Sequence, residues 1–404
     1  MNRPLRVALV YRNFGFGGSL ERDVVLLARG LVRREIEVHC YCNPETRTAE
    51  LEGVEFHDVR PDARSRARLG QPIETLSFAA AATRALRRDR ARYDILDVTG
   101  VSAWEADVVT VHGVTKALQH RWPDDAGRDF RAARARATIS PVLRPQIGVA
   151  RAIERIQFRS HGFRRAIAVT EQVRSDLIHV HSVPEERIDV VHPPVDLERF
   201  SGTDGRAVRA ELGLEPADEI LLFVGHDFRR KGLADAITAL AGLPEDVHLL
   251  VVGDGERGPF EAQADGAGLS ERVHFAGGTE EPERYFEAAD IFVLPTLQDP
   301  WGITLVEAMA AGLPIVTTTV AGASAAVKEA GAGIVLPERS PSELRAALAA
   351  LLGEPARRRE LGERGRAAGG RFGLERHVDL VLAAYEVART EERFVPVPVQ
   401  AEAA

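Results

Sequence analysis

The sequence predicts an α/β protein made of two doubly wound parallel-sheet domains. Three observations carry this. The chain has 404 residues, more than one ordinary core accommodates. A strand, loop, helix alternation begins at Leu5 and starts again at Glu219. Between the two runs stands Pro193-Pro194-Val195-Asp196, a proline step of the kind that separates domains. The expected division is 1–193, then 194–375, with the final helix and tail, 376–404, returning to the first domain.

Composition is that of a soluble globular protein, 45% hydrophobic and 28% charged. No apolar run approaches the roughly 20 residues that span a bilayer. The start, MNRPLRVALVYRNFG, reads as a strand and a loop and lacks the apolar core and cleavage site of a signal peptide. Cys40 and Cys42 lie one residue apart on a predicted strand, a poor geometry for a disulfide and a natural one for buried thiols. The expected location is cytoplasmic, with peripheral attachment to the inner face of the cytoplasmic membrane as its variant.

The net charge of −8 conceals an asymmetry. Residues 1–190 hold 31 Arg and Lys against 25 Asp and Glu, a balance of +6; residues 191–404 hold 21 against 35, a balance of −14. Such a split points to an anionic partner for one half. Three of the 52 basic residues are lysines, Lys116, Lys231 and Lys328.

In the first half, Leu5–Tyr11 reads as a buried strand and Asn13–Gly18 as a glycine-rich loop. Ser19 is placed to cap the following helix, with Glu21 and Asp23 in its first turn and Leu20, Val24, Leu27 and Leu31 as its buried stripe. Ile36–Cys42 is the second strand. Gly15-Phe16-Gly17-Gly18 is not the dinucleotide fingerprint, and no phosphate-binding G-x-x-x-x-G-K-[ST] loop occurs. The glycines either let backbone approach an anion or serve the turn alone. Val54–Phe56, a helix near Glu74–Arg90, Ile95–Val98 and Asp107–His112 follow. His112 closes its strand, where open α/β sheets bind ligands, so it is a candidate substrate contact.

Residues 121–165 carry 11 Arg against Asp124, Asp125, Asp129 and Glu154. Arg128, Arg131, Arg134 and Arg136 surround Phe130, and Arg151, Arg155 and Arg159 surround Ile153, Ile156 and Phe158. A basic amphipathic helix here can lie on an anionic membrane, be a solvated face, or hold a phosphorylated acceptor. Nucleic acid is not expected, because no binding motif is present. Ala166–Thr170, a helix Glu171–His179 and Ile188–His192 complete the first half.

The second half repeats the pattern: strand Ile220–Val224, helix Leu233–Ala241, strand His248–Val252, helix Pro259–Gly268, strand Val273–Phe275, helix Pro282–Ala289, strand Ile291–Leu294, a helix over Ile303–Ala311, and strand Pro314–Thr318. The strand-end loops are polar or glycine-rich. Gly225 to Gly232 brings Arg229, Arg230 and Lys231 beside a helix start, which suits a diphosphate. Gly253 to Glu256 is a tight turn, and Ala276-Gly277-Gly278 a third loop. The fourth, Thr296–Gly302, feeds the Ile303–Ala311 helix, stopped by Gly312 and Pro314. Asp299 in that loop and Glu307 in that helix are either solvated acids or parts of an anion-binding helix start.

The segments GFGGSLERDVVLLARGL, VHPPVDLERF, VGHDFRRKG, LLVVGDGE, VHFAGG and QDPWGITLVEAMAAGLPIV, in this order, resemble a retaining glycosyltransferase of family 4 with the GT-B fold. Among its members, GHDFRRKG and GGSLERD are most similar to the bacterial lipopolysaccharide core glucosyltransferase I type. The resemblance implies two Rossmann-like domains facing across a cleft, the first binding the acceptor and the second the nucleotide sugar. It implies that Arg230 and Lys231 hold the donor diphosphate and that Glu307 holds the ribose hydroxyls. Asp299 stands where the family's pattern has a glutamate that holds sugar hydroxyls. Gly302, Ile303 and Thr304 would meet the sugar and phosphates through their backbone. Gly225 and Gly253 belong to the same row of donor-side loops, and Gly277 to the base-binding edge. Gly17 and Gly18 would lie near diphosphate and acceptor, and His112 by the donor sugar.

The implied reaction moves a hexose, glucose from a UDP-sugar in the first instance, to a lipid-linked or cell-surface glycan, with the anomeric configuration retained. No cofactor and no metal are expected, since no cluster of Asp or His at metal-ligand spacing stands out. Alternatives are a mannosyltransferase using GDP-mannose, a sugar-nucleotide epimerase, or a non-catalytic nucleotide-sugar-binding protein.

Overall fold

The computed structural model describes residues 3–16, 18–61, 71–120, 143–200 and 205–394. The chain divides into two compact units, Met1–Pro194 with Leu374–Ala404, and Val195–Gly373. Each is built on a parallel sheet.

In the first unit the strands are β1 (Arg6–Val10), β2 (Glu37–Cys42), β3 (Val54–Asp58), β4 (Ile95–Thr99), β5 (Val108–Val111), β6 (Arg165–Ala168) and β7 (Ile188–Val190). Among the described residues they are ordered β3-β2-β1-β4-β5-β6-β7. β1, β4 and β5 are near-continuous apolar runs because helices cover both faces of a parallel sheet. β3, at the edge, has only exposed and half-buried residues. The order reverses between β1 and β4, so the loops after β1, β4 and β5 gather at the switch point.

The helix Ser19–Arg33 follows β1 and buries Val24, Leu27 and Leu31, while Leu20 is half-buried. Gly18, not Ser19, occupies the N-cap position, and no side chain caps the helix. The last helix, Leu374–Thr390, packs on Ser19–Arg33 through Val378, Val381, Ala384, Tyr385 and Ala388, which recur every three or four residues. Phe394 then pairs with Phe163 in an antiparallel bridge. Cys40 and Cys42 are free and buried.

In the basic segment, 121–142 lies outside the described residues. From Leu143 the chain is helical to Ile156. Ile153 and Phe158 are in the core rather than on an outward apolar face, with Phe158 stacked edge-on to Phe163. Arg151 and Arg155 are exposed.

The second unit holds β8 (Glu219–Val224), β9 (Val247–Val252), β10 (Val273–Gly277), β11 (Ile291–Leu294), β12 (Ile315–Thr318) and β13 (Gly333–Leu336), ordered β10-β9-β8-β11-β12-β13 among the described residues. Its order reverses between β8 and β11. The helix Ile303–Ala311 begins and ends as its residues predict, closed by Gly312 at φ 74°. It is enclosed on nearly all sides rather than on one face, and Thr304 alone of its nine residues is not buried. One cause is the neighbouring helix Pro355–Gly369, whose Gly365 and Gly369 let the backbone of Met309 and Ala310 come close.

Candidate active site

The loops after β8 and β11 meet at the switch point of the second sheet. After β8, Asp227 caps a single turn, Phe228–Lys231, by accepting from the Arg230 N–H at 3.2 Å. The three cations therefore lie in this turn, and Lys231 directly precedes Gly232, the N-cap of the next helix, Leu233–Leu240, as the sequence reading expects. Arg229 is exposed. Arg230 donates to the Gln298 carbonyl at 2.6 Å and to Asp227 at 3.2 Å. Its own carbonyl accepts from the Leu297 N–H at 2.8 Å and from the Thr296 hydroxyl at 3.1 Å. Three of these contacts, to Thr296, Leu297 and Gln298, stitch one loop to the other.

Lys231 is pointed inward by that stitching. Its stem runs along Gly225, where an added Cβ would stand 3.1 Å from Lys231 Cγ. Lys231 Nζ contacts Asp299 Oδ2, and the two side chains are 11% and 9% exposed. Burying both charges is tolerable because they are paired. The loop holding Asp299 is braced from behind: Gly322 N–H donates to the Asp299 carbonyl at 2.9 Å and Ala323 N–H to that of Trp301 at 2.6 Å.

Gly302 enters the Ile303–Ala311 helix at φ 80°, a left-handed conformation that favours glycine, and no side chain caps this helix start. Thr304 Oγ1 is buried there without a hydrogen-bond partner. Ile303 is buried, and Glu307, further along the helix, is 2% exposed. Gly253 closes β9 and donates to the Gly277 carbonyl at 2.8 Å, so both glycines lie at the carboxyl edge of the same sheet. The structure therefore gathers Gly225, Arg230, Lys231, Asp299, Gly302, Ile303, Thr304 and Glu307 on two adjacent loops and one helix. A helix start without a cap, beside an inward lysine, is equipped to hold a phosphate group.

The remaining candidates are in the first unit. Gly17 lies outside the described residues, and Gly18 is the N-cap of Ser19–Arg33. His112 follows β5, and its Nε2 stands 3.1 Å from Asp23 Oδ2. His377 Nε2 stands 3.8 Å from the other oxygen of Asp23. His377 Nδ1 donates to the His192 carbonyl at 2.8 Å, and burial holds this imidazole below its ordinary range. Asp23 Oδ1, His112 Nε2 and His377 Nε2 have no hydrogen-bond partner. Beneath them Asp97 of β4 accepts from Tyr385 Oη at 2.6 Å and from Thr110 Oγ1 at 2.9 Å. Burial pushes Asp97 up to about 6.

Asp97, His377 and Tyr385 are not singled out by the sequence, and Asp23 is read there only as an acid at a helix start. Asp97 carried a signal, a carboxylate inside the apolar strand Ile95–Thr99. His377 and Tyr385 come from the distant last helix and had none. The expectation of no Asp or His cluster at ligand spacing is also revised. His39, Glu55 and His57 bring ligand atoms within 4.8 Å of one another. Linear spacing hides them because they come from two paired strands.

Residues 17–199 match the family Glycosyltransferase Family 4, and residues 204–368 match Glycosyl transferases group 1. A D-inositol 3-phosphate glycosyltransferase of Segniliparus rotundus is 32% identical over 55% of this chain and 52% of its own length. The first curated relatives are thus matched over about half their length. One from Xylanimonas cellulosilytica is 28% identical over 93% of both chains. The lipopolysaccharide glucosyltransferase WaaG of Escherichia coli K12 is 33% identical over 46% of this chain and 52% of its own. In fold, the crystal structure of WaaG aligns with TM-score 0.76 and 24% identity, over 95% of this chain and 99% of that one. Anabaena HepE in complex with UDP-glucose aligns with TM-score 0.66 and 16% identity, over 95% and 99%. Both are GT-B neighbours, and the two sheets described above are the two Rossmann-like domains of that fold.

Proposed function

From the premise that the chain belongs to the glycosyltransferases that join a Glycosyltransferase Family 4 domain to a Glycosyl transferases group 1 domain, we propose that it moves a hexose from a nucleotide diphosphate sugar to a glycan or glycolipid acceptor, with retention. The observation that carries this reading is the Lys231–Asp299 contact at the switch point of the second sheet, beside the uncapped start of Ile303–Ala311.

In this reading Lys231, Arg230 and the helix start take the donor diphosphate. As the anomeric C–O bond breaks, its electron pair stays on the phosphate oxygen. Fixed cations and helix-end N–H groups stabilise that charge more in the transition state than before it. The acceptor hydroxyl forms the new C–O bond on the same face and passes its proton to the departing phosphate oxygen, so no protein nucleophile is required. Glu307 holds the ribose hydroxyls. Asp299 takes a sugar hydroxyl and keeps Lys231 aimed. His112, beside Asp23, serves the sugar. Side chains supply the charge at this site, and we take transfer to be independent of metal.

UDP-glucose is the donor to try first, because HepE, whose fold this chain shares, is solved with it and WaaG is named a glucosyltransferase. GDP-mannose is the alternative. A glycolipid acceptor and contact of 121–165 with the inner face of the cytoplasmic membrane fit the arginine excess of that segment.

A thermal-shift and turnover screen against UDP-, GDP- and ADP-sugars tests the reading. A ligand at 100 times its Kd adds about 2.7 kcal/mol, so the right nucleotide stands out. Product formed from donor alone would favour an epimerase. No shift and no turnover with any of them would overturn the assignment.

A further inference from the structure

The open edge of the first sheet carries a second constellation that sugar transfer leaves unused. β2 reads Glu37-Val38-His39-Cys40-Tyr41, and β3 contains Glu55-Phe56-His57. Alternation along a strand puts Glu37, His39 and Tyr41 on one face. The register sets His39 beside Glu55 and Tyr41 beside His57. Two short E-x-H segments, 18 residues apart in the chain, are thereby laid side by side on one face of the sheet.

Their ligand atoms converge. His39 Nδ1 stands 3.0 Å from His57 Nε2 and 3.4 Å from Glu55 Oε2. His57 Nε2 stands 3.4 Å from Glu55 Oε1. A tetrahedral zinc ion with bonds of about 2.0–2.1 Å separates its ligands by about 3.3–3.4 Å. Each imidazole nitrogen therefore already stands near that spacing from the other and from a Glu55 oxygen, and one ligand atom from each of the three residues lies within 4.8 Å of the others.

The surroundings prepare them as ligands. His39 Nε2 lies 2.8 Å from Glu37 Oε1. The carboxylate accepts, so the proton is on Nε2, and Nδ1 turns a bare lone pair toward His57 and Glu55. An outer carboxylate on the far nitrogen is how metal-bound imidazoles are usually oriented. Tyr41 stacks on the His57 ring with centroids 4.4 Å apart, and Tyr93 meets the His39 ring edge-on at 5.3 Å. Arg92 donates to Glu55 Oε1 at 2.7 Å, which fixes that carboxylate between the two imidazoles.

We propose that His39, His57 and Glu55 bind one divalent transition-metal ion of the zinc class, with Glu37 orienting His39 and water completing the coordination. Two nitrogens and one oxygen suit zinc or cobalt and disfavour magnesium or calcium. The ion would tie the edge strand β3 to β2, in the unit that does not hold Lys231 and Asp299. The second unit supplies an internal comparison. His248 Nδ1 and His274 Nε2 are also 3.0 Å apart, with Asp218 3.8 Å from His248 Nε2, yet no third ligand joins them among the described residues.

The test uses the full chain, freed of tags and stripped with a chelator. It is titrated with Co²⁺, read by the visible absorption of tetrahedral cobalt, and with Zn²⁺ against a chromophoric chelator. One saturable equivalent is expected. Glu37→Gln should weaken Zn²⁺ by about 10- to 100-fold, and Glu55→Gln and His57→Gln by more. His248→Ala should leave binding unchanged. The Glu55 side chain is 53% exposed, so its variant is expected to fold even where a histidine variant does not. Absence of a saturable equivalent in the wild type would overturn the proposal. So would wild-type affinity in Glu55→Gln and His57→Gln, or a matching loss in His248→Ala.

Discussion

Lys231 Nζ and Asp299 Oδ2 are in direct contact, joining the loop after β8 to the loop after β11 across the point where the strand order reverses. The pair does two things at once. It neutralises two charges that neither loop could bury alone, and it fixes an ammonium at the start of Ile303–Ala311.

Lys231→Ala should therefore lower kcat/KM for sugar transfer by about 10²- to 10³-fold, the usual cost of one preorganised group on developing charge. It also strands the buried Asp299, so thermal stability should fall. Asp299→Asn should reduce transfer less, because Lys231 survives with a looser aim. Steady-state kinetics of both variants and of the double variant check this. Near-wild-type turnover in Lys231→Ala would remove the diphosphate role.

Glu307 is buried in its helix and is isosteric with glutamine, so Glu307→Gln changes charge with little change of volume. A charge-assisted hydrogen bond to ribose is worth about 1.5–3 kcal/mol. Donor affinity should drop by about 10- to 100-fold, with kcat changed less, because the ribose contact is made in ground and transition states alike. Calorimetry with the nucleoside diphosphate measures it. An unchanged Kd would mean that Glu307 serves the helix packing alone.

Much of this was legible in the sequence, for definite reasons. Ile303–Ala311 was bounded correctly because Gly302 and Gly312 stand at the two left-handed positions that end it. β8 and β11 were legible as apolar runs. What failed was whatever depends on pairing between distant segments. The all-round enclosure of Ile303–Ala311 could not be read, since part of it comes from glycines some 55 residues later. The Phe228–Lys231 turn was not foreseen, because a four-residue helix has too few positions to show a period. His377 and Tyr385 reach the His112 region only because the last helix packs into the first unit, which no local pattern announces.

His112 Nε2 faces the Asp23 carboxylate at 3.1 Å without a hydrogen bond between them, a charge contact that favours this ring orientation. If it contacts donor sugar, His112→Ala should lower transfer by about 10²-fold, and Asp23→Asn should lower kcat less than that, since the imidazole remains and loses only its orientation. Donor Kd in unit-two terms, read with the nucleoside diphosphate lacking sugar, should be unchanged in both. Equal loss of nucleotide binding would show a general structural effect instead.

Asp97 tests the same region through pH. Its carboxyl is 1% exposed and is pushed up to about 6 from 3.8, chiefly by burial. The folded state then holds this proton more tightly than the unfolded state does. The stability it contributes is complete below the unfolded value of 3.8 and is lost as pH rises through about 6. A shift of about two units corresponds to about 3 kcal/mol. Asn in place of Asp keeps the shape, offers an acceptor to one of the Tyr385 and Thr110 hydroxyls and an N–H that the other can accept, and does not titrate. Asp97→Asn should therefore gain about 3 kcal/mol on the wild type between about pH 4 and pH 8, measured as the difference between their denaturant-unfolding free energies. Parallel pH profiles for the two proteins would show that Asp97 ionises in the folded chain as freely as in the unfolded one.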